Sequence, residues 1–434
     1  MIGAAARIAG HHLRRRFDHL DPDRLERHQQ RQVTRLIRHL RRHSPYYHEH
    51  LVSDRLDAVP LMDKATMMRH FDAINTAGLS RDELVAFRVE QERAGRTDLF
   101  DGRYSVGLSS GTSGNKVLTV LSRGERIRYA ALLWARSGIP REVREPRVLF
   151  ALRTNNPAFT SVTMVGVELV YVDYFVPVDE LVALINRHRL NVLAGPPSLL
   201  VLLAEQRERI VAPIEAVLSY AEVLDDPTRT RIGEAFGAPV SQIYQGAEGM
   251  LGVTCPAGNL HLNEDVVLVE LYDAGDEIGG TRRVVVTDLY RRTQPFLRYQ
   301  LNDLLEIDDA PCPCGSAFRR IARVHGRADS VLHLPGVRGG RVRLMPDYVR
   351  RSVNQASQDV VEYQVVQWAS DDIEVRLMLK AGADREQITR TIRDNLAHWA
   401  RRADGVLGTV RFTDTPPTRD EGSRKLIRVI NRWN

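Results

Sequence analysis

Residues 108–116 read LSSGTSGNK, which sets four hydroxyl side chains, Ser109, Ser110, Thr112 and Ser113, around Gly111 and Gly114. Glycine lets a backbone approach an anion closely, and successive N–H groups form a nest, so such a loop can wrap phosphates. The spacing is not that of a Walker A loop. The same composition also makes solvent-exposed turns. A second set lies further on: the three cysteines of the chain, Cys255, Cys312 and Cys314, with His261 in a Cys-x5-His spacing after the first. Thiolates and imidazole are ligands zinc prefers, and four of them close a tetrahedral structural site with no position left for water. Pro256, Gly258, Pro313 and Gly315 supply turns that aim them inward. Isolated thiols acting as small hydrophobes are the alternative. Of 61 basic residues only Lys64, Lys116, Lys380 and Lys425 are lysine. Arginine is a planar fork and lysine a compact point charge, so a lysine kept in so arginine-rich a chain marks a place where the two do not interchange.

Those residues need elements to position them. Residues 23–43 carry Val33, Leu36, Ile37 and Leu40 at helical spacing with arginines elsewhere, which predicts an amphipathic helix. HSPYYHEHL and VPLMDK read as Pro-punctuated loops. From residue 147 apolar strands alternate with helical stretches: RVLFAL, VELVYVDYF, LNVLAG, a helix through SLLVLLAEQRE, AVLSYAE, a helix through PTRTRIGEAFG, and VSQIYQG. Alternation of this kind predicts a parallel sheet with crossover helices. After residue 259, DVVLVELYD and TRRVVVTDLY read as hairpin strands of an antiparallel subregion. Beyond residue 326, two strands (VVEYQVVQW, DIEVRLMLK), a helix over about 385–401 and a strand GTVRFTD predict a small α+β unit with a polar tail.

The bulk numbers narrow the class. At 434 residues the chain exceeds one ordinary core, and 43% hydrophobic with 27% charged residues is globular composition. No apolar run reaches the roughly 18 residues of a membrane helix, so no membrane partner is expected. The start, MIGAAARIAGHHLRRRF, lacks an apolar core followed by a small-residue cleavage site, and three cysteines suit a reducing compartment, which together predict a cytoplasmic protein. The net charge of +6 is spread among 55 acids without a basic-aromatic stripe, which argues against nucleic acid.

SSGTSG resembles the phosphate loop of the adenylate-forming superfamily, and its companions occur in that family's order. YQGAE (residues 244–248) stands where the family has Tyr-Gly-x-Thr-Glu, Ala221 and Glu222 follow a strand as the adenine-side motif does, and PFLRYQLND (residues 295–303) resembles Pro-x-x-Arg-Tyr-x-x-Gly-Asp. HGRADSVLHLPG (residues 325–336) looks like the Gly-Arg-x-Asp-Asp hinge. SPYY, VPLMDK, CPCG and Lys425-x-x-Arg428-Val429 narrow the resemblance to the phenylacetate:CoA ligase and coenzyme F390 synthetase branch, over residues 43–429.

The resemblance implies a large N-terminal domain, residues 1–327, binding ATP and an acid through an α/β fold of mixed and parallel sheets, and a mobile α+β C-terminal lid, residues 328–434. It implies that Ser109, Ser110, Gly111, Thr112, Ser113 and Gly114 hold phosphates, that Ala221 and Glu222 stand beside the adenine and that Tyr244 covers it. Asp303 would accept from the ribose hydroxyls, Arg327 would contact ribose or phosphate, and Asp329 would be the pivot of the lid. Glu248 would bind Mg²⁺, which prefers oxygen ligands. Lys425 would be the catalytic lysine, meeting the charge that develops as the carboxylate attacks the α-phosphorus of ATP. The Cys255, His261, Cys312 and Cys314 segments look like paired elements of this branch, in favour of structural zinc.

Several positions depart from the family. Ala247 replaces a threonine, Gln245 and Asn302 replace glycines, VRGGRVRLMPDYV after Gly336 is divergent, and the loop ends Asn115-Lys116 rather than Lys-Pro, which leaves open whether Lys116 reaches a phosphate. The expected function is adenylation of a small carboxylic acid, an aromatic one being what the resemblance suggests, with CoA as the acceptor it favours and an amine acceptor or activation without CoA as the alternatives. A homodimer is compatible with that reading. A degenerate nucleotide-binding protein is the rival from another class, favoured by Ala247 and Asn302. The acyl pocket is expected from residues 195–199, 219–222 and 245–247.

Overall fold

In the computed structural model the described residues are 10, 13, 21–108, 117–140, 142–152, 158, 163, 166–173, 176–275, 279–357, 359–419 and 426–433. Helix α1 (Pro22–His43) buries Val33, Leu36, Ile37 and Leu40 on one face, as the spacing predicts. The SPYY segment differs from its loop reading. Residues Pro45–His50 are helical because Ser44 accepts from the Tyr47 N–H and proline stands at the first helical position, and Asp63 caps the helix Lys64–Arg69 in the same manner.

A two-stranded antiparallel hairpin, β1 (Ser105–Leu108) with β2 (Leu118–Leu121), precedes helix α2 (Arg123–Arg136), which opens on a Ser122/Glu125 capping box. Strands β3 (Arg147–Ala151), β4 (Glu168–Val172), β5 (Val192–Gly195), β6 (Ala216–Ser219) and β7 (Val240–Gly246) then pair in parallel. Their near-continuous apolar runs fit a sheet buried on both faces. Helices α3 (Val178–His188), α4 (Pro197–Glu205) and α5 (Asp226–Phe236) make the crossovers and share a core with Leu149, Leu193 and Val217 on one face.

The sheet continues antiparallel through β8 (Gly249–Thr254), β9 (Leu260–Leu262), β10 (Val267–Asp273), β11 (Thr281–Asp288), β12 (Tyr299–Asp308) and β13 (Arg320–Arg327), giving eleven strands in the order β10-β11-β12-β13-β9-β8-β7-β6-β5-β3-β4. The antiparallel part thus begins at β8, earlier than the sequence suggests. The two glycines of GMLGVT mask that strand. Gly252 is needed there, since a Cβ would lie 2.6 Å from the His261 carbonyl oxygen on β9.

After a 3₁₀ turn, Ala328–Ser330, come the hairpin β14 (Leu332–Pro335) with β15 (Arg341–Leu344), helix α6 (Pro346–Asn354), β16 (Val360–Ala369), β17 (Asp372–Leu379), helix α7 (Arg385–Arg402), β18 (Thr409–Thr413) and β19 (Val429–Asn431). The tail is not wholly loop, because β19 pairs in parallel with β16. These elements build a core of their own around Leu332, Val349, Val375 and Leu396, which Ala274 and Leu304 of the large sheet join.

A buried ion pair ties α2 to the antiparallel half. Arg136 is bidentate on Asp265, at 2.8 and 3.0 Å, and also donates to Asn263 Oδ1 at 3.0 Å, with both partners almost fully enclosed. Removing one member of a buried pair strands the other charge, so Asp265→Ala should cost about 3–5 kcal/mol. The shift in urea midpoint measures it, and a change under about 1 kcal/mol would contradict the buried pairing.

Candidate functional site

The site begins at the end of β7. A two-residue turn, Ala247-Glu248, joins it to β8, and Gly246 opposes Gly249 in the register. A Cβ on Gly246 would lie 2.3 Å from Glu248 Oε2, so the glycine gives the carboxylate the room to fold back over its own hairpin. Arg291, buried and stacked on Phe296 at 4.5 Å, donates from Nη1 to the Ala247 carbonyl at 2.7 Å and anchors the turn from beneath. The departure at Ala247 therefore leaves the turn's backbone held.

Tyr244 lies on β7 and Asp303 on β12, four strands apart in the ladder order, yet Tyr244 O–H donates to Asp303 Oδ2 at 2.8 Å. Arg327 stands opposite Asp303 in the β12–β13 register. Its Nε donates to Asp329 Oδ1 at 3.3 Å across the 3₁₀ turn, where both side chains are about 40% exposed. Burial pushes the Glu248 carboxyl above its usual range and Asp303 adds to this, while Arg291 and Arg327 oppose it. Burial raises the Tyr244 hydroxyl as well, reinforced by Asp303. Burial and Arg327 lower Lys64, which Glu248 and Asp329 partly offset. Glu248, Asp303, Arg327, Lys64 and the buried phenol of Tyr244 thus converge at the open end of the β7–β8 hairpin.

Beside this cluster is a cleft of about 340 Å³ lined by Leu108 and Thr119 from the phosphate-loop hairpin, by Pro196, Tyr220, Ala221 and Glu222, and by Gln245, Gly246 and Ala247. Of the residues expected around the acyl pocket, Pro196, Tyr220, Ala221, Glu222, Gln245, Gly246 and Ala247 line this cleft, whereas Gly195, Pro197, Ser198, Leu199 and Ser219 do not. Glu222 accepts from Ser198 Oγ at 3.0 Å at the start of α4. Ala221 has a φ of +68°, a conformation costing a non-glycine residue on the order of 1 kcal/mol, and such strain concentrates at functional sites. Tyr244, Glu248, Asp303 and Arg327 are not on the cleft wall but adjoin it through Ala247 and Gly249.

Sequence reasoning missed Arg291, Asp288 and Glu125, all on the cleft wall. Burial pushes Glu125 upward, but hydrogen bonds from Thr293 N, Ser122 N and Oγ and Arg292 N outweigh it and hold its carboxyl low. The available signal was the Ser-x-x-Glu capping box at residues 122–125.

A third cluster lies at the other end of β8. Pairing of His261 on β9 with Arg320 on β13 brings the CPCG turn to Cys255. The Sγ atoms of Cys255 and Cys312 are 3.8 Å apart, Cys314 Sγ is 3.6 Å from His261 Nε2, and the four ligand atoms all lie within 4.8 Å of one another. The Nδ1 of His261 is 2.7 Å from the Phe318 carbonyl, which sets the tautomer with Nε2 bare toward the sulfurs.

The fold and sequence both have relatives. No family model matches the chain. It is 29% identical over 294 residues to phenylacetate-coenzyme A ligase of Thermus thermophilus, covering 58% of this chain and 62% of that protein. It is 29% identical over 185 residues to protein CapK of Staphylococcus aureus, covering 42% of this chain and 39% of that protein. The matches thus span less than two thirds of either relative. Among solved structures, 2-hydroxyisobutyryl-CoA ligase in the postadenylation state with 2-HIB-AMP shares the fold at a TM-score of 0.72 and 18% identity, over 96% of this chain and 91% of that one. The chain thus resembles phenylacetate-coenzyme A ligase in sequence and shares the fold of an acyl-CoA ligase. Of the superfamily positions, Ser109, Ser110, Gly111, Thr112, Ser113 and Gly114 of the phosphate loop, with Lys116 and Lys425, lie outside the described residues.

The Glu248 environment has a sign that can be tested. An acid raised in the folded state costs stability above its ordinary pKa, because the unfolded chain gives up the proton first. Glu248→Gln should therefore raise the melting temperature of the nucleotide-free protein at neutral pH. The difference should vanish below about pH 4, near the ordinary glutamate value. Equal melting temperatures across that range would contradict the assigned environment.

Proposed function

We propose that the chain couples ATP cleavage to activation of a carboxylic acid: the carboxylate attacks the α-phosphorus, pyrophosphate leaves, and the acyl group passes from the adenylate to CoA with release of AMP. The observation that carries this is the convergence of Glu248, Asp303, Arg327 and Tyr244 at the mouth of a cleft that the phosphate-loop hairpin borders. The superfamily relatives, named as acid:CoA ligases, support it.

Asp303, held by Tyr244, is placed to accept from ribose hydroxyls, and Arg327 to meet ribose or phosphate oxygens. Glu248 fits a divalent cation, since a carboxylate raised by burial and by a like-charged neighbour is stabilised by added positive charge. Mg²⁺ held there would neutralise charge on the ATP phosphates. Tyr244 acts in this reading by fixing Asp303 as well as by flanking the base.

The lid reading treats residues 328–434 as a domain turning about Asp329. Its support is the separate core and the exposed Arg327–Asp329 pair at the joint. Lys425 would reach the α-phosphate from that unit, where its neighbour Leu426 pairs with Arg419.

The Cys255, His261, Cys312 and Cys314 cluster fits structural zinc. Bonds of about 2.3 Å to sulfur and 2.0 Å to nitrogen put tetrahedral ligands roughly 3.5–3.8 Å apart, which the Cys255–Cys312 and Cys314–His261 separations match. Zinc would clip β8 and β9 to the CPCG turn, far from the chemistry.

Acid-dependent exchange of labelled pyrophosphate into ATP tests the reaction. Lys425→Ala should slow it on the order of 10²-fold or more with little change in ATP affinity, because that charge matters where charge develops in the transition state. Exchange at the wild-type rate would remove Lys425 from the mechanism. Protein purified without metal-affinity resin should contain near-stoichiometric zinc, which the Cys312→Ser, Cys314→Ser variant loses together with much of its thermal stability. Zinc-free protein with freely reactive thiols would overturn that assignment.

A further inference from the structure

Side chains of parallel strands alternate between the two faces of a sheet. Leu149, Leu193 and Val217 face the crossover helices, whereas Phe150, Ala194, Leu218 and Ile243 point to the opposite face and the side of α2. Protein interiors are close-packed, with few voids larger than a water molecule. Yet between that face and Leu133 and Trp134 of α2 lies a second, partly open cavity of about 470 Å³. Among the described residues its wall carries a single formal charge, Arg144. A volume of several hundred Å³ with an apolar wall is that of a site for a small organic molecule rather than a packing defect.

The cavity and the cleft share three residues, Tyr129, Tyr220 and Gln245. The neck between them is defined by hydrogen bonds: Tyr220 O–H donates to the Ala151 and Ala194 carbonyls at 2.9 and 3.0 Å, and Tyr129 O–H donates to Gln245 Oε1 at 3.1 Å. Tyr220 is thus held by main-chain atoms of two strands, whereas Tyr129 and Gln245 meet side chain to side chain. Gln245 occupies a position where the superfamily motif has glycine, so in this chain a side chain stands at the junction.

We propose that the acid this protein activates carries an extended hydrocarbon tail, which passes Tyr129 and Gln245 into the cavity while its carboxylate stays in the cleft. This rests on the ligase reading and names its substrate class: medium- to long-chain aliphatic acids. An apolar tail suits a wall that is mostly aliphatic and aromatic, with Val143, Val148, Leu169, Leu218 and Ile243 among its residues, where a polar tail would lose much of its water without replacement. The carboxylate end keeps to the cleft, whose wall carries the charged groups: Arg88, Arg128 and Arg291 beside Glu125, Glu222 and Asp288.

The test is pyrophosphate exchange with a series of straight-chain acids from acetate to dodecanoate, on wild-type protein and on Ala194→Leu. Ala194 lines the cavity and not the cleft, and a larger side chain there takes up cavity space. On wild type, kcat/KM should rise about fourfold per added methylene, from about 0.8 kcal/mol per buried CH₂, until the cavity is filled. Ala194→Leu should lower exchange with decanoate at least tenfold and leave butyrate unchanged. Exchange that is independent of chain length, or that falls as the chain grows, would overturn the tail channel while leaving adenylation standing. Exchange with none of these acids would overturn the channel, and only a further failure with phenylacetate and benzoate would remove the ligase reading with it. The wild-type series decides the matter even if the variant does not fold.

Discussion

The hydrogen bond from Tyr244 to Asp303 sets a geometric condition on the large sheet. In flat sheet order β7 and β12 are four steps apart, which at about 4.8 Å per step is roughly 19 Å, far more than one tyrosine can span. The antiparallel half must therefore coil until β12 comes round toward β7. Two features produce the curl. Strand β9 is only three residues long and meets β13 at Arg320 and Ile321, far from Arg327, so nothing from β9 intervenes at the site end. Register shifts at Arg283/Val285, Leu304/Leu305 and Glu306/Ile307 also bend β11, β12 and β13, as bulges do.

The coil explains why the charges meet. Glu248 rides on the tip of the β7–β8 turn, and Asp303 and Arg327 are cross-strand neighbours on β12 and β13. At this end of the sheet, burial and the neighbouring Asp303 make the Glu248 carboxylate less comfortable as an anion than in water, which added positive charge would relieve. Strand β7 is also where parallel pairing with β6 gives way to antiparallel pairing with β8. Its carboxyl end is thus a place where neighbouring connections diverge and leave a crevice, as in other open α/β sheets.

Much of this was legible in the sequence because short apolar runs separated by helical stretches have few alternatives to a parallel sheet, and β3 to β7 form where that pattern says. The Cys255, His261, Cys312 and Cys314 set was legible because it uses all three cysteines of the chain and a histidine spaced Cys-x5-His from the first, although only the β9–β13 pairing shows how fifty residues of separation close. What was not legible follows physical lines too. Strand β8 hides behind its glycines, and SPYY reads as a loop until the Ser44 cap is seen to hold a helix. Arg291 looked like one more arginine, and only its burial and its bond to the Ala247 carbonyl reveal a supporting role. The second cavity depends on how far α2 stands from the sheet, which no local pattern encodes.

The coiled sheet exists, in this view, to present Asp303 to a ribose. Calorimetric titration of AMP into wild-type protein and into Asp303→Ala measures that directly, without reference to acid, acceptor or lid. A hydrogen bond to a charged acceptor contributes about 1.5–3 kcal/mol, so AMP affinity should fall at least about tenfold in the variant while the fold survives by circular dichroism. Equal AMP affinity in the two proteins would contradict the assignment of this end of the sheet as the nucleotide site.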